Sequence, residues 1–481
     1  MAFTVVAQAR PSAARFERPQ SGLARLSVLL LGLWLVACAG HSARTLEARS
    51  ALDAMAPNRA LKLLDEELDV ESAEDLPTDT GGDNALLLLD RAMVLQQLGR
   101  YELSSRDLEV ADKQVELLDL SRKATHDIGK YLFSDDVGPY KAPAYEKLMI
   151  NTMNIINYLV RGDLSGARIE ARRLAVMQRY LSEHKEQGAA LLGPGSYLAG
   201  FTFEKSGRPQ EALRYYDEAL QFAAYRTLDE PIARLARESS YRSPRIRKLL
   251  GEGSEAESAD EAESADKGDN TSGALDRSNT EGELLVVVNF GRVPSKIAER
   301  VPIGLALTYA SGALSPTDRA RANYLAAQGL VTWVNYPRLG KPRGQYDRPS
   351  FALDGRWQRL EGVLAVDKAA KRAWDEARGT VIAAAITRMI ARAATGEAVR
   401  QASGKGTLGA LLSLGTQLTM TAADTPDTRS WATLPARMAF GRVWLKPGTH
   451  HVVLNARGVR TRHKVNIKAG GFAVLNLTVL S

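Results

Sequence analysis

The sequence predicts a multidomain protein: an all-α half made of repeated helix pairs, then an α+β domain ending in an antiparallel β meander. Three observations carry that expectation. Apolar residues recur at spacings of three and four through residues 45–250, with no β-rich run. An acidic stretch without aromatic residues, 251–283, interrupts the chain. Beyond it, apolar runs alternate with turn residues. A chain of 481 residues has room for roughly two to four domains. Hydrophobic residues at 45% and charged residues at 25% are the balance of a folded protein.

The first 37 residues address the chain. Arg10, Arg15, Arg18 and Arg25 stand against one acid, Glu17, and an apolar run follows from Leu26 to Ala37. A basic region before a short apolar one is the pattern of an export signal. The run falls short of the ~20 residues a spanning helix needs. It ends Leu35-Val36-Ala37-Cys38, and Cys38 is the only cysteine in the chain. This resembles a bacterial lipobox, in which the cysteine thiol receives the lipid and becomes the mature N-terminus. A cleaved secretory signal or a membrane anchor with a chance cysteine is the plainer alternative. Ala39, not Asp, follows the cysteine. By the same resemblance this directs the protein to the outer membrane, facing the periplasm, held to the membrane through lipidated Cys38.

Residues 45–250 contain three similar segments. The first runs Leu88, Ala92, Leu95, Gly99-Arg100-Tyr101, Ser104, Leu108, Ala111. The second is Gly162-Asp163-Leu164, Ala167, Ala171, Leu174, and the third is Gly200, Phe203, Gly207-Arg208-Pro209, Ala212, Tyr216, Ala219. Glycine turns the chain between paired helices, and alanine lets them approach closely. These segments resemble tetratricopeptide repeats. Their glycines stand 63 and 45 residues apart, so insertions separate the units. Phe203 and Tyr216 are the candidate residues of a groove for protein partners. A generic helical bundle is the alternative.

The stretch 251–283 holds eleven acids and two bases, and it is expected to be a disordered linker. The remainder, 284–481, begins with the buried-strand run Leu284-Leu285-Val286-Val287-Val288. Arg300–Leu307 and Gly329–Tyr336 read as further strands, and 366–395 as a long amphipathic helix with Val366, Ala370, Ala373, Trp374, Ala377, Val381 and Ala385 on one stripe. The apolar run 407–420 reads as a buried helix or hairpin. Strands at 438–445, 450–456, 459–468 and 472–480 form the expected meander. The segments are therefore a signal peptide at 1–37, a helical domain at 38–250, a linker at 251–283 and an α+β domain at 284–481.

Charge is segregated along these segments. Residues 284–481 carry 28 Lys and Arg against 11 Asp and Glu, a net +17. Such an excess points to an anionic partner. An envelope address excludes nucleic acid and favours an anionic glycan or lipid, or an acidic protein.

Three motif groups carry a family resemblance. They are Tyr145-Glu146-Lys147 through Asn157-Tyr158-Leu159-Val160-Arg161-Gly162-Asp163, Asp427-Thr428-Arg429-Ser430-Trp431 with Thr433-Leu434-Pro435, and Arg442-Val443-Trp444-Leu445-Lys446-Pro447-Gly448. Together they resemble a family of large bacterial lipoproteins with tetratricopeptide repeats and a C-terminal β-rich domain. The resemblance implies an envelope role and supplies no catalytic residues.

Enzyme signatures are absent: the chain has no HExxH, GxSxG, CxxC or Walker A motif. One cysteine cannot make an internal disulfide or a cysteine-based zinc site. Six histidines leave little for a metal cage, and His450-His451 on a strand would point to opposite faces. No catalytic residue, metal or cofactor is expected. Two candidates remain in the C-terminal half. Arg460, Arg462, Lys464 and Lys468 alternate along one strand and would line one face as an anion-binding row. A solvated face that protects a sheet edge is the alternative. Arg429 and Trp431 form a possible interface anchor, or else Trp431 plugs a junction while Arg429 pairs with Asp427 or Asp424. The expected function is a membrane-anchored scaffold that binds envelope proteins through its helical repeats. The alternative is a protein that binds peptidoglycan or lipopolysaccharide, or an envelope enzyme, using the basic domain.

Overall fold

Helices fill the N-terminal half, as its periodicity requires. In chain order they are α1 His41–Arg44, α2 Leu46–Asp53, α3 Pro57–Glu67, α4 Asp83–Gln97, α5 Tyr101–Leu120, α6 Ala144–Val160, α7 Leu164–Glu183, α8 Leu192–Lys205, α9 Pro209–Phe222, α10 Asp229–Glu238 and α11 Pro244–Leu250. The computed structural model describes residues 41–120, 142, 144–183, 192–252, 280–329, 331–344, 347–402 and 426–481. Cys38, the acidic stretch from 253 to 279 and the run 407–420 lie outside these described residues.

Three tight turns build the helical hairpins α4–α5, α6–α7 and α8–α9. Gly99, Gly162 and Gly207 adopt φ of 75°, 74° and 68°, the left-handed region that glycine enters without strain. The next amide in each case closes the helix end: Arg100 N donates to the Leu95 carbonyl at 2.8 Å, Asp163 N to Tyr158 at 2.9 Å, and Arg208 N to Phe203 at 3.0 Å. Close packing follows. A Cβ on Gly200 would lie 2.3 Å from the Tyr216 ring, and one on Gly166 would lie 2.3 Å from the Tyr158 ring.

The C-terminal half is β-rich with antiparallel pairing, and it contains three sheets. Its elements are β1 Gly282–Phe290, β2 Lys296–Pro302, α12 Ile303–Tyr309, α13 Pro316–Ala327, β3 Trp333–Leu339, β4 Ser350–Leu353, β5 Arg356–Gln358, β6 Glu361–Ala365, α14 Val366–Ala402, β7 Arg437–Leu445, β8 Gly448–Ala456, β9 Val459–Ile467 and β10 Phe472–Val479. The central sheet has the order β10-β1-β7-β6, the outer sheet β5-β4-β8-β9, and β2-β3 is a separate pair.

Several expectations need correction here. The four final strands exist, but they do not form one meander. β8 and β9 pair in the outer sheet, while β7 and β10 flank β1 in the central sheet, β10 parallel to it. The cause is composition: β9 exposes a row of cations and cannot enter a covered sheet, whereas β10 is apolar enough to do so. Residues 303–307 are helix α12, not strand, because Pro302 ends β2 and opens a helix. Ala377 is exposed, although the stripe of α14 placed it on the apolar face. That helix instead bridges two cores. Val366 and Ala370 pack into the main core, while Ile382 to Ile390 pack against β3 and α12.

The helical and β halves are not separate packing units. Gly40–Ser481 is one compact unit. All nine residues of β1 are buried, and the strand's two faces serve two cores. Leu285 and Val287 join the helical core with Met438, Phe440 and Val474. Leu284, Val286, Val288 and Phe290 pack against Phe351, Val452, Leu454, Val465 and Ile467 of the outer sheet. The layers are therefore helices, central sheet, outer sheet. An unbroken Leu-Leu-Val-Val-Val run suits a strand covered on both sides.

Two-residue turns shape the outer sheet. Asp354-Gly355 joins β4 to β5 with φ of 46° and 79°, and Arg457-Gly458 joins β8 to β9 with φ of 48° and 78°. Both have the paired left-handed conformation that matches strand twist.

Candidate functional site

Two of the charge-rich regions among the described residues differ in what their charges face. The first lies between the helices and the central sheet. Residues 283, 442 and 444 point from β1 and β7 toward the helices, because they share parity with the core residues Leu285 and Phe440. Arg442 donates from Nη2 to Glu204 Oε1 and Oε2 at 2.8 Å, and from Nη1 to the Tyr216 hydroxyl at 3.0 Å. Its Nε pairs with Glu283, which also pairs with Lys205. Tyr216 donates to Glu204 at 2.5 Å, as does Arg234 Nη2. Trp444 Nε1 donates to Glu230 at 3.2 Å.

Burial alone would push the Glu204 carboxyl up, but Arg442, Lys205 and Arg234 together hold it well below the ordinary carboxylate range. Burial would likewise lower Arg442, and Glu204 and Glu283 instead raise it. Burial dominates at Glu230, whose carboxyl is pushed up, and at Tyr197, pushed up to about 12. The cluster therefore consists of matched charges, with Glu230 Oε1 and Arg234 Nε the two buried atoms in it that lack a hydrogen bond and face each other at 3.9 Å. Its chemistry is that of a lock between layers, since its cations already hold carboxylates.

The structure places the groove candidates inside the fold, and for Trp431 and Arg429 it has the plug and the Asp427 pairing rather than an interface anchor. Phe203 is 2% exposed and stacks on Tyr215, with ring centroids 5.2 Å apart. Tyr216 is fully buried in the charge cluster. Tyr216 lies under the central sheet, bonded to Arg442, while Phe203 is packed between helices against Tyr215. Trp431 is buried at 1% exposure, donating from Nε1 to the Leu89 carbonyl at 3.0 Å and from its backbone N to Glu146 at 3.1 Å. Arg429 donates from Nε to Asp427 at 2.9 Å and is buried too. Burial raises the Asp427 carboxyl, and Arg429 and Lys296 more than reverse that, leaving it low. Trp431 is a plug and Arg429 its clamp. Thr433 extends the seam by donating to Asp90 at 2.8 Å from its backbone.

The second region is the outer face of the outer sheet. The alternation of β9 buries Val465 and Ile467 and exposes Arg460, Arg462, Lys464 and, just past the strand end, Lys468. None of these four makes an ion pair with another described residue. The register puts their neighbours on the same face: Arg462 opposes Val453, Arg460 opposes Asn455 and Lys464 opposes His451. Sequence reasoning found the row but missed Trp357. This residue is 67% exposed and sits on the same face, opposite Ala352. The signal available was the Asp354-Gly355 turn, which fixes the parity of β5.

His450 turns away from this face. Its Nδ1 contacts Asp354 at 2.7 Å and its Nε2 contacts the Lys446 carbonyl at 2.8 Å. Among the described residues no cluster of three or more His, Cys, Asp or Glu could hold a metal ion. None of the described helices is long and apolar enough to cross a membrane. No protein-family model matches the chain, and no curated protein matches it.

Proposed function

We propose that this is a non-enzymatic binding protein of the bacterial cell envelope, anchored in the outer membrane through lipidated Cys38, whose folded body presents a cationic sheet face to an anionic envelope component. One observation carries the reading. Arg460, Arg462, Lys464 and Lys468 stand exposed in one row without carboxylate partners among the described residues, in a protein that pairs its buried cations closely. Support for a tetratricopeptide-like reading of the helical hairpins comes from their glycine turns and from the close contact of Gly200 with Tyr216. In this reading they serve as the support on which the sheets are mounted.

The test uses the full lipidated chain in detergent, incubated with purified lipopolysaccharide and with purified sacculi. Replacing Arg460, Arg462 and Lys464 together by Glu should abolish retention on whichever ligand is bound. Retention equal to that of the unaltered protein would sink the proposal. A second reading keeps a protein partner at the helices. Its support is a cleft of about 520 Å³ between α10 and α11, with Ala233, Ala236, Leu249 and Leu250 on its floor and Arg237 and Glu252 at its rim.

A further inference from the structure

The same sheet face carries a second feature that bare charge attraction leaves unused. One cross-strand row reads Trp357, Ala352, Val453, Arg462, one residue from each of the four strands. Below it, Ser350, Asn455 and Arg460 form the next row, and His451 lies beside Lys464 in the row above. With strands about 4.8 Å apart, Trp357 and Arg462 stand roughly 14 Å from each other. Along β9 the cations repeat about every 6.8 Å.

From this juxtaposition we propose that the outer face of the outer sheet binds a linear anionic polysaccharide, one sugar ring stacking on Trp357 and its charged groups pairing with Arg460, Arg462 and Lys464. The inference deepens the anionic-partner reading and rests on it. The indole of Trp357 is exposed and free to stack, and its flat apolar face matches the C–H face of a sugar ring. Between Trp357 and the cations, Ala352 is buried and Val453 half-buried, so no large side chain stands between the two features. Asn455 and Asn466, exposed or half-exposed on this face, offer amides to sugar hydroxyls. An inserting membrane would need several large exposed apolar residues around the cations. Among the described residues, Trp357 is the only exposed large hydrophobic side chain on this face. A ligand must span from β5 to β9 to use both features, which selects an oligomer over a single sugar.

The test measures binding of the full chain in detergent to four probes: polygalacturonate, neutral dextran, inorganic polyphosphate and phosphatidylglycerol vesicles. The expected result is binding to polygalacturonate and polyphosphate but not to dextran. Trp357→Ala should weaken polygalacturonate about ten-fold and leave polyphosphate unchanged. Replacing Arg460, Arg462 and Lys464 by Gln should weaken both. The melting temperature of each variant shows that it is folded, since every altered side chain is exposed. If Trp357→Ala leaves polygalacturonate unaffected, the stacking site is wrong while the anionic reading stands. Should the triple Gln variant bind both polymers normally, both readings fail. Vesicle binding that is tighter than polygalacturonate and depends on Trp357 would overturn the polysaccharide in favour of a membrane surface.

Discussion

The central and outer sheets both carry arginine at regular strand positions, yet the two uses of charge are opposite. On the central sheet, Arg442 lies under helices α8 and α9 and every donor has a carboxylate or hydroxyl. On the outer sheet, Arg460 and Arg462 face solvent with no paired carboxylate among the described residues. A buried cation must be matched, because an unpaired charge in a low-dielectric interior is untenable. An exposed row of cations carries no such requirement: on the edge strand β9 it blunts pairing with another strand and leaves its charges open to a partner. The contrast separates residues that hold the protein together from residues available to a partner.

The largest effect should come from breaking the buried side of that contrast. Arg442→Met leaves Glu204 and Glu283 facing each other with only Lys205 and Arg234 as compensation. Removing one partner from a buried ion cluster costs about 3–5 kcal/mol. Denaturant unfolding should show a loss of that size. Substituting exposed Arg462 in the same way should change stability by no more than about 0.5 kcal/mol. Equal losses at the two positions would erase the distinction between the sheets.

Legibility followed the same division. Helices in the first half, the buried β1 and the exposed face of β9 were readable, because each depends on local periodicity. The three glycine turns were readable as well, since Gly99, Gly162 and Gly207 need a conformation other residues avoid. What was hidden is long-range pairing. Nothing local says that Arg442 meets Glu204, 238 residues away, or that Trp431 plugs against Leu89, 342 residues away. Phe203 and Tyr216 looked like groove residues because a repeat pattern shows which residues are large, not that Phe203 stacks on Tyr215 or that a later strand brings Arg442 onto Tyr216. The acidic stretch likewise marks a break in composition, while β1 just beyond it packs back onto the helices. Trp357 went unnoticed because its importance comes from its register with Arg462 across two intervening strands.

A middle-sized effect sharpens the comparison at the helical support. Gly200 lies beneath the Tyr216 ring, and Tyr216 is bonded to Glu204 and Arg442. A methyl group at position 200 would force that ring aside, and overpacking of this kind costs about 1–3 kcal/mol. Gly200→Ala should therefore lower stability by that amount and leave binding by the outer sheet intact once the protein is folded. Loss of anion binding in a folded Gly200→Ala protein would mean that the two regions are coupled.

The smallest effect concerns pH, and here the two sheets should differ in sign. The folded-state pKa of Glu204 is held low, so its contribution is fully present above the ordinary value of 4.5 and is lost as pH falls through its folded value. His450 behaves oppositely. The hydrogen bond to Asp354, followed by that to the Lys446 carbonyl, raises its pKa above 6.5. Its contribution is therefore fully present below pH 6.5 and fades as pH rises through the folded value. Because Asp354 is about half exposed, that contribution is at most about 1 kcal/mol. Between pH 4.5 and 6.5 both groups stabilise the fold. Stability measured across pH should show His450→Gln flattening part of the alkaline limb and leaving the acid limb alone. An alkaline limb unchanged in that variant would show that the His450–Asp354 contact contributes nothing, leaving the buried cluster as the only one of the two with a titrating share in stability.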